Sequence, residues 1–288
     1  MPITEILTRN ASLYCEETSL VEINPQIKEV KASWKDYELV ETNPENRYRR
    51  EMTWREFDDK ANRLANFLLQ RGLEKGRKVG ILLMNCLEWL PIYFGILKTG
   101  AIAVPLNYRY TEEEIKYCLD LADCDVLIFG PEFTQRIEAI REQMPKVKLR
   151  LFVGQDLPAF AESYYALTAC CSSVAPRVPL SDADDAAIYF SSGTTGFPKA
   201  ILHHHRSLMM ACEVEMNHHR QTREDNFLCI PPLYHTGAKM HWFGSFLAGS
   251  RAVLLRGVKP EWIFRAVSEE RITIVWLLVP WAQDILDA

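Results

Sequence analysis

A loop rich in glycine and hydroxyl side chains, closed by a lysine, constrains this 288-residue chain more than any other stretch. Residues 186–199 read A-A-I-Y-F-S-S-G-T-T-G-F-P-K, so an apolar run at 186–190 with the character of a buried strand leads directly into the loop. Glycine can adopt positive φ and bring main-chain N–H groups close to an anion, and hydroxyl and ammonium groups add further donors. The stretch therefore predicts a phosphate-binding loop. The predicted binding residues are Ser191, Ser192, Gly193, Thr194, Thr195, Gly196 and Lys199.

The order of residues in this loop separates it from the Walker phosphate loop. There a Lys-Ser/Thr pair directly follows the last glycine, whereas here Phe197 and Pro198 come between and Ala200 stands in place of the hydroxyl. A flexible turn with a solvated lysine is the plain alternative for any stretch of this composition. The complete string resembles the phosphate loop of the adenylate-forming superfamily of AMP-dependent synthetases and ligases, which includes acyl-CoA synthetases, peptide-synthetase adenylation domains and beetle luciferases.

The rest of the chain alternates between strand-like and helix-like apolar patterns. Two capping boxes, Thr53 with Glu56 and Thr111 with Glu114, open amphipathic helices. Such alternation implies mostly parallel sheets covered by helices, and hence an α/β fold. The predicted strands include 79–84, 101–104, 126–129, 149–153, 227–230, 252–255 and 272–278. The predicted helices include 87–99, 132–143, 206–216, 240–247 and 261–269.

These elements predict two doubly wound, mostly parallel βαβ lobes. Residues 1–180 would form the first lobe, with an N-terminal segment and a proline- and serine-rich connection at 154–181. Residues 181–288 would form the second lobe, which carries the phosphate loop. The stretch 98–107, K-T-G-A-I-A-V-P-L-N, also resembles a segment typical of adenylate-forming enzymes. The resemblance implies that both lobes are part of the large N-terminal domain of such an enzyme.

A second motif, P-P-L-Y-H-T-G at 231–237, follows a predicted strand and so lies at a strand's carboxyl end, where open α/β sheets bind ligands. In the acyl-CoA synthetases that it resembles, an aromatic residue and a histidine at this place lie near the acyl and phosphate groups. The amino-acid-activating branch usually has an aspartate here, but no carboxylate occurs between Pro231 and Ala248. The alternative for the histidine is a structural role in a strand-to-helix turn. The predicted catalytic residues are His235 and Lys199, and the predicted substrate-binding residues are Tyr234, His235 and Gly237.

The resemblance implies ATP-dependent activation of a small-molecule carboxylic acid, with coenzyme A as the second substrate. The carboxylate attacks the α-phosphorus of ATP and expels pyrophosphate, and the thiol of coenzyme A then displaces AMP from the acyl-adenylate. Such a site mainly positions the reactants and neutralises phosphate charge. The histidines at 203–205, 218, 219 and 241 lack the spacing of metal ligands. Magnesium would arrive bound to ATP and not in a cage of protein ligands. No metal held by the protein itself is predicted.

Charge, terminal sequence and apolar run length bear on nucleic-acid binding, secretion and membrane insertion. The formal net charge is −5 and no basic stripe is interleaved with aromatic residues, which argues against nucleic-acid binding. Residues 1–10 lack the pattern of a signal peptide, and the most apolar run, 272–282, is shorter than the roughly 20 residues that span a bilayer. We therefore expect no transmembrane segment and a cytoplasmic protein. Its eight cysteines are expected to be reduced, with Cys170 and Cys171 as the remaining candidates for a redox-sensitive pair.

The resemblance also bears on how much of an enzyme the sequence contains. Family members continue past the position of Ala288 with an adenine-binding segment, a magnesium-binding glutamate, a ribose-binding aspartate and a small domain that carries an adenylation lysine. We therefore expect an N-terminal portion that is inactive alone and able to self-associate, for example as a homodimer, through apolar surface at its C-terminal edge. Two alternatives stay open: another adenylate-forming branch, such as amino-acid adenylation or luciferase-like oxidation, and a non-catalytic nucleotide-binding or interaction module.

Overall fold

The computed structural model describes residues 1–27, 31–34, 37–40, 47–191 and 197–288. These residues form a seven-stranded sheet, a five-stranded sheet and a two-stranded hairpin, together with helices that pack against the two larger sheets. The strands of both larger sheets are mostly parallel, which confirms the predicted α/β class.

The elements are numbered along the chain. The strands are β1 (Thr18–Ile23), β2 (Lys31–Trp34), β3 (Tyr37–Val40), β4 (Arg49–Thr53), β5 (Lys78–Leu82), β6 (Ile102–Pro105), β7 (Cys124–Phe129), β8 (Leu149–Phe152), β9 (Glu162–Ser163), β10 (Asp185–Ser191), β11 (Lys199–His204), β12 (Asn226–Cys229), β13 (Arg251–Leu255) and β14 (Ile274–Val275). The helices are α1 (Thr4–Leu13), α2 (Trp54–Gln70), α3 (Trp89–Lys98), α4 (Glu112–Leu121), α5 (Thr134–Ile140), α6 (Tyr164–Ala169), α7 (His205–His218), α8 (Thr236–Ala248), α9 (Pro260–Glu269) and α10 (Val279–Leu286).

The seven-stranded sheet has the order β11-β10-β6-β5-β7-β8-β9, and only β11 runs antiparallel to its neighbour. Because the other strands are parallel, their carboxyl ends meet at one edge. The chain winds from β5 to β6 on one side and then to β7 on the other side of β5. Such a switch point is where open α/β sheets leave a crevice for ligands.

The five-stranded sheet combines strands that are far apart in sequence. Its order is β14-β12-β13-β1-β4, and only β4 is antiparallel to its neighbour. Each of the two larger sheets therefore contains strands from both sides of residue 180. The predicted lobe boundary near that residue does not coincide with the division between the sheets, and as a statement about domains it stays a prediction.

The predicted capping boxes define the starts of two helices. At α2 the N–H of Glu56 donates to the Thr53 hydroxyl over 3.2 Å, and the N–H of Thr53 donates to the Glu56 carboxylate over 2.8 Å. The same reciprocal pair, Thr111 with Glu114, opens α4. These side chains satisfy N–H groups that have no partner within the helix, so both helix starts are encoded locally and both predictions are confirmed.

A layer of three helices, α2, α3 and α8, joins the two larger sheets. Every residue of α3 is buried, and one hydrophobic core contains residues of all three helices and of strands from both sheets. Aromatic rings fill this layer, with the centroids of Phe94 and Phe246 5.1 Å apart. The rings of Trp54, Phe57, Trp242 and Phe243 pack against them. Burial of these rings stabilises the contact of the two sheets.

Three predicted elements differ from the structure. The helix predicted at 132–143 is divided into α5 and two short 3-10 turns, with Pro131 at the first turn. The predicted connection at 154–181 contains β9 and α6, because Glu162 and Ser163 pair with the end of β8. The strand predicted at 272–278 shortens to the two residues that pair with β12, since its apolar side chains stay partly or largely exposed at the sheet edge.

Candidate functional site

The phosphate loop of the sequence connects two antiparallel strands. Ser191 at the end of β10 lies opposite Lys199 at the start of β11, so the predicted strand at 186–190 is confirmed and extends by one residue at each end. The Lys199 side chain is exposed and can reach a ligand. Pro198 is buried, and the exposed ring of Phe197 packs on Tyr117 with centroids 4.7 Å apart. The predicted phosphate ligands Ser192, Gly193, Thr194, Thr195 and Gly196 lie outside the described residues.

The second motif forms the connection from β12 to α8, as predicted from its position after a strand. Asn85, three residues after β5, fixes this connection. Its side-chain amide donates to the carbonyl of Pro231 over 2.9 Å, and its side-chain oxygen accepts from the N–H of Leu233 over 2.8 Å. Asn85 is buried, so these bonds are shielded from water. The sequence interpretation missed Asn85, although a polar residue soon after a buried strand was a usable signal.

Tyr234 and His235 lie at the start of α8. The Tyr234 ring is partly buried and packs edge-on against Tyr108, with centroids 5.3 Å apart; burial raises its pKa to about 12. Tyr108 follows β6, so this contact joins the motif to the carboxyl edge of the seven-stranded sheet. His235 is exposed, and its main-chain N–H donates to the Pro232 carbonyl over 3.0 Å. His235 is the residue immediately before α8. The free N–H groups in the first turn of this helix favour a bound anion.

Gly237, the third predicted substrate-binding residue, lies in the first turn of α8. A methyl group added at this glycine would meet the His235 ring at 3.5 Å, an ordinary contact distance. The glycine is thus not required by packing, and it leaves space beside the imidazole. Its predicted role in substrate binding stays a prediction.

The sheet topology brings the two motifs to the same edge. β10 is parallel to β6, so the phosphate loop starts beside the carboxyl end of the strand that precedes Tyr108. On the other side, the side chain of Lys239 in α8 lies over the ring of Tyr189 in β10, with Nζ 4.2 Å from the ring centroid. Strand β10 and helix α8 are therefore in contact. The predicted phosphate loop follows the end of β10, and the Tyr234-His235 pair precedes the start of α8.

Lys239 is a buried lysine that the sequence interpretation did not single out. Its side chain is 0% exposed, and its Nζ has no hydrogen-bond partner among the described residues. The rings of Trp89 and Tyr93 also face it, with centroids 4.9 and 4.2 Å from Nζ. Burial lowers the pKa of Lys239 well below its usual value. The signal in the sequence was a lone lysine within an otherwise apolar helix.

Buried charges also line a cavity of about 510 Å³ at the carboxyl ends of β5, β7 and β8. Arg50 in β4 donates to Glu88, at 3.0 Å, and to Glu22. Burial alone would raise the pKa of Glu88, but the guanidinium of Arg50 lowers it below its usual value. Arg256 pairs with Glu132 over 2.7 Å at the same cavity. The arginines near this cavity thus have carboxylate partners, and the ion pairs join the two sheets.

The described residues show neither a cluster of metal ligands nor a membrane-spanning helix. Among them, no group of three or more His, Cys, Asp or Glu side chains is placed to hold a metal ion. None of the helices in the described part of the chain is long and apolar enough to cross a membrane. The eight cysteines are free thiols in the structure, with Cys170 exposed and Cys171 buried.

Comparisons with known proteins agree with this architecture. The model of the family described as AMP-binding enzyme matches residues 29–288. The chain is 27% identical, over 83% of its length and 47% of the relative's, to a 3-oxocholest-4-en-26-oate–CoA ligase of Rhodococcus rhodochrous. It is 29% identical, over 77% of its length and 43% of the relative's, to the long-chain-fatty-acid–CoA ligase FadD13 of Mycobacterium tuberculosis. The chain thus spans about half the length of the curated relatives it matches.

Solved structures share the fold. An anthranilate CoA ligase, AuaEII, determined in complex with anthranoyl-AMP, superposes with a TM-score of 0.83 and 26% identity over 96% of this chain and 49% of the other. A long-chain-fatty-acid-CoA ligase, FadD1, of Archaeoglobus fulgidus superposes with a TM-score of 0.85 over 100% of this chain and 53% of the other. Its 17% identity shows similarity of fold alone.

Proposed function

The chain belongs to the AMP-binding enzyme family, and we propose that it forms part of an acyl-CoA ligase that activates a carboxylic acid with ATP and transfers the acyl group to coenzyme A. One observation carries the proposal. The Tyr234-His235 pair lies at the start of α8, fixed by Asn85 and Tyr108 beside the carboxyl edge of the sheet whose strand β10 leads into the phosphate loop. The names of the curated relatives, which are CoA ligases, support it.

In the proposed reaction, a carboxylate oxygen of the acid forms a bond to the α-phosphorus of ATP while the bond to pyrophosphate breaks. The thiolate of coenzyme A then adds to the acyl carbonyl, and AMP leaves with the electrons of the broken acyl–oxygen bond. Lys199 and the loop residues 191–196 would neutralise phosphate charge, which is the main task of such a site. Magnesium would enter bound to the ATP phosphates.

His235 would act on the reacting carboxylate or on the oxygen that develops charge. Its imidazole is exposed, and the N–H groups at the start of α8 favour the same anion. Tyr234, packed on Tyr108, would form one wall of the acid site. Because residues 231–248 contain no carboxylate, this segment offers no counter-ion to an α-ammonium group, which favours simple carboxylic acids over amino acids.

Exchange of labelled pyrophosphate into ATP tests the first half-reaction. The protein encoded by the complete reading frame is incubated with MgATP, labelled pyrophosphate and, in turn, a panel of carboxylic acids and a panel of α-amino acids. Exchange that depends on a carboxylic acid is the expected result. Exchange that depends on amino acids would assign the chain to the amino-acid-activating branch. Nucleotide binding without exchange for any acid would instead favour a non-catalytic module. We further propose that the protein acts in the cytoplasm, where both ATP and coenzyme A are available.

A further inference from the structure

Among the described residues, two lysines are buried, and they differ in what surrounds the ammonium group. Lys98 in α3 donates to Asp58 and to Asn62, both over 2.6 Å. Lys239 in α8 has no hydrogen-bond partner in the described part of the chain, although an ammonium carries three donors. Among the described residues, Lys98 thus has acceptors and a counter-ion, whereas Lys239 has neither.

The groups that face Lys239 come from five elements. The rings of Trp89 and Tyr93 in α3 and of Tyr189 in β10 surround Nζ at 4.2 to 4.9 Å. The hydroxyls of the two tyrosines bond to each other over 2.9 Å. The ionisable side chains in electrostatic contact with Lys239 are Cys212 in α7, Cys229 in β12 and His203 in β11. Burial raises the pKa of each thiol to about 12, so neither supplies negative charge near neutral pH.

The position of Lys239 relates it to the proposed acid site. Its main-chain N–H donates to the carbonyl of His235 over 3.3 Å, so it lies one helical turn, about 6 Å along the axis, beyond the proposed catalytic imidazole. Tyr189, which it contacts, lies two residues before Ser191, where the phosphate loop starts. Lys239 therefore lies behind both motifs, on the side of α8 that faces β10.

We propose that Lys239 is a specificity-determining residue that binds a second carboxylate at the far end of the substrate, so that the acid is a dicarboxylic acid. The inference rests on the proposed function, because it assigns the substrate class of the same site. A carboxylate would accept hydrogen bonds from the N–H groups of Lys239 and supply the counter-ion that the described surroundings lack. The aromatic rings favour a cation but accept no conventional hydrogen bond, so the N–H groups of protonated Lys239 have no acceptor among the described residues.

The test compares adipate with hexanoate, which have the same number of carbon atoms and differ in the second carboxylate. Acid-dependent pyrophosphate exchange is measured for the protein of the complete reading frame and for two variants, Lys239→Met and Lys98→Met. The unsubstituted protein should use adipate at least about 10-fold better by kcat/KM, and Lys239→Met should reverse this preference by roughly 10-fold to 1,000-fold, mainly through KM for adipate. Lys98→Met should lower thermal stability and leave the ratio unchanged.

Titration calorimetry supplies a readout that a purely structural lysine would not move. Adipate is added to the protein with MgATP in two buffers that differ in ionisation enthalpy, and proton uptake on binding should be seen for the unsubstituted protein and be absent in Lys239→Met. A Lys239→Met variant that uses adipate and hexanoate in the original ratio, or that loses both equally, would overturn the proposal. Exchange by the unsubstituted protein would in that case still support the proposed function. Absence of exchange with every acid would instead contradict the proposed function.

Discussion

His235 is the residue on which the proposed chemistry depends most. Its side chain is exposed, so replacing it with alanine removes a polar contact with the substrate and little packing. We expect His235→Ala to reduce acid-dependent pyrophosphate exchange by roughly 10-fold to 1,000-fold, the range for one preorganised polar or proton-transferring group. His218→Ala, which changes another exposed histidine at the end of α7, is the matched control and should be fully active. Equal rates for the two variants would show that His235 takes no part.

His205 makes a separate prediction about pH and stability. It is 1% exposed, neither ring nitrogen has a hydrogen-bond partner among the described residues, and burial lowers its pKa to about 4. The unfolded chain, with a histidine pKa of about 6.5, binds the proton first as the pH falls. The stability contributed by neutral His205 is therefore complete above pH 6.5 and decreases between about pH 6.5 and 4, by up to about 3 kcal/mol.

Denaturant unfolding at several pH values measures this effect. The His205→Gln variant removes the titrating group, so its free energy of unfolding should change less between pH 7 and 5 than that of the unsubstituted protein. His218→Gln, at an exposed histidine, should keep the original pH dependence. If His205→Gln also keeps it, the imidazole of His205 is not held neutral by the fold.

At the scale of elements, two glycines in helices allow the effect of an added methyl group to be compared at a tightly packed position and an open one. A methyl group at Gly95 in α3 would lie 2.9 Å from the carbonyl oxygen of Ala61 in α2, a contact that forces two packed helices apart. A methyl group at Gly237 in α8 would meet only the His235 ring at an ordinary distance. Alanine is otherwise favoured over glycine in a helix by about 1 kcal/mol.

Gly95→Ala should therefore destabilise the protein by about 1–3 kcal/mol despite the better helix propensity, because the core cannot accept the added volume. Gly237→Ala should leave the free energy of unfolding nearly unchanged or slightly raised, but it should slow pyrophosphate exchange if the space beside His235 holds substrate. Denaturant unfolding and the exchange assay on both variants measure the two effects. A stable Gly95→Ala variant would contradict the close approach of α2 and α3.

The same elements show what local sequence can predict. The capping boxes at Thr53 and Thr111 define helix starts because their partners are three residues away, and the apolar run at 186–190 predicts β10 because burial sets its pattern. The short strand β9 could not be predicted, since it forms only by pairing with the end of β8. Strand β14 is short for a related reason: only two residues of a longer apolar run find a neighbouring strand.

The candidate site divides in the same way. The positions of Tyr234 and His235 at a strand's carboxyl end followed from sequence order. Asn85 and Lys239 instead depend on contacts between residues at least 50 positions apart, such as the bond from Asn85 to Pro231. The order of the five-stranded sheet, in which β1 lies between β13 and β4, likewise has no local signal. Long-range pairing, more than the type of each element, is what local sequence patterns could not predict.

At the scale of the whole molecule, the ion pairs of Arg50 connect two strands of the five-stranded sheet to the start of α3. Arg50 pairs with Glu22 of β1 and with Glu88, which immediately precedes α3, and both carboxylates are almost fully buried. Arg50→Met would leave two buried carboxylates without this partner, so we expect a loss of about 3–5 kcal/mol in the free energy of unfolding. Arg55→Met removes an exposed pair with Glu16 and should leave the free energy of unfolding nearly unchanged. Similar unfolding midpoints for the two variants would contradict this role.

The proposed function requires the complete protein to join a carboxylic acid to coenzyme A at the expense of ATP. The most direct measurement is mass spectrometry of the products formed by the protein of the complete reading frame from a carboxylic acid, MgATP and coenzyme A. We expect an acyl-CoA thioester together with equal amounts of AMP and pyrophosphate, and a large decrease of all three products in His235→Ala. Formation of ADP and phosphate, or thioester formation that persists at full rate in that variant, would contradict this expectation.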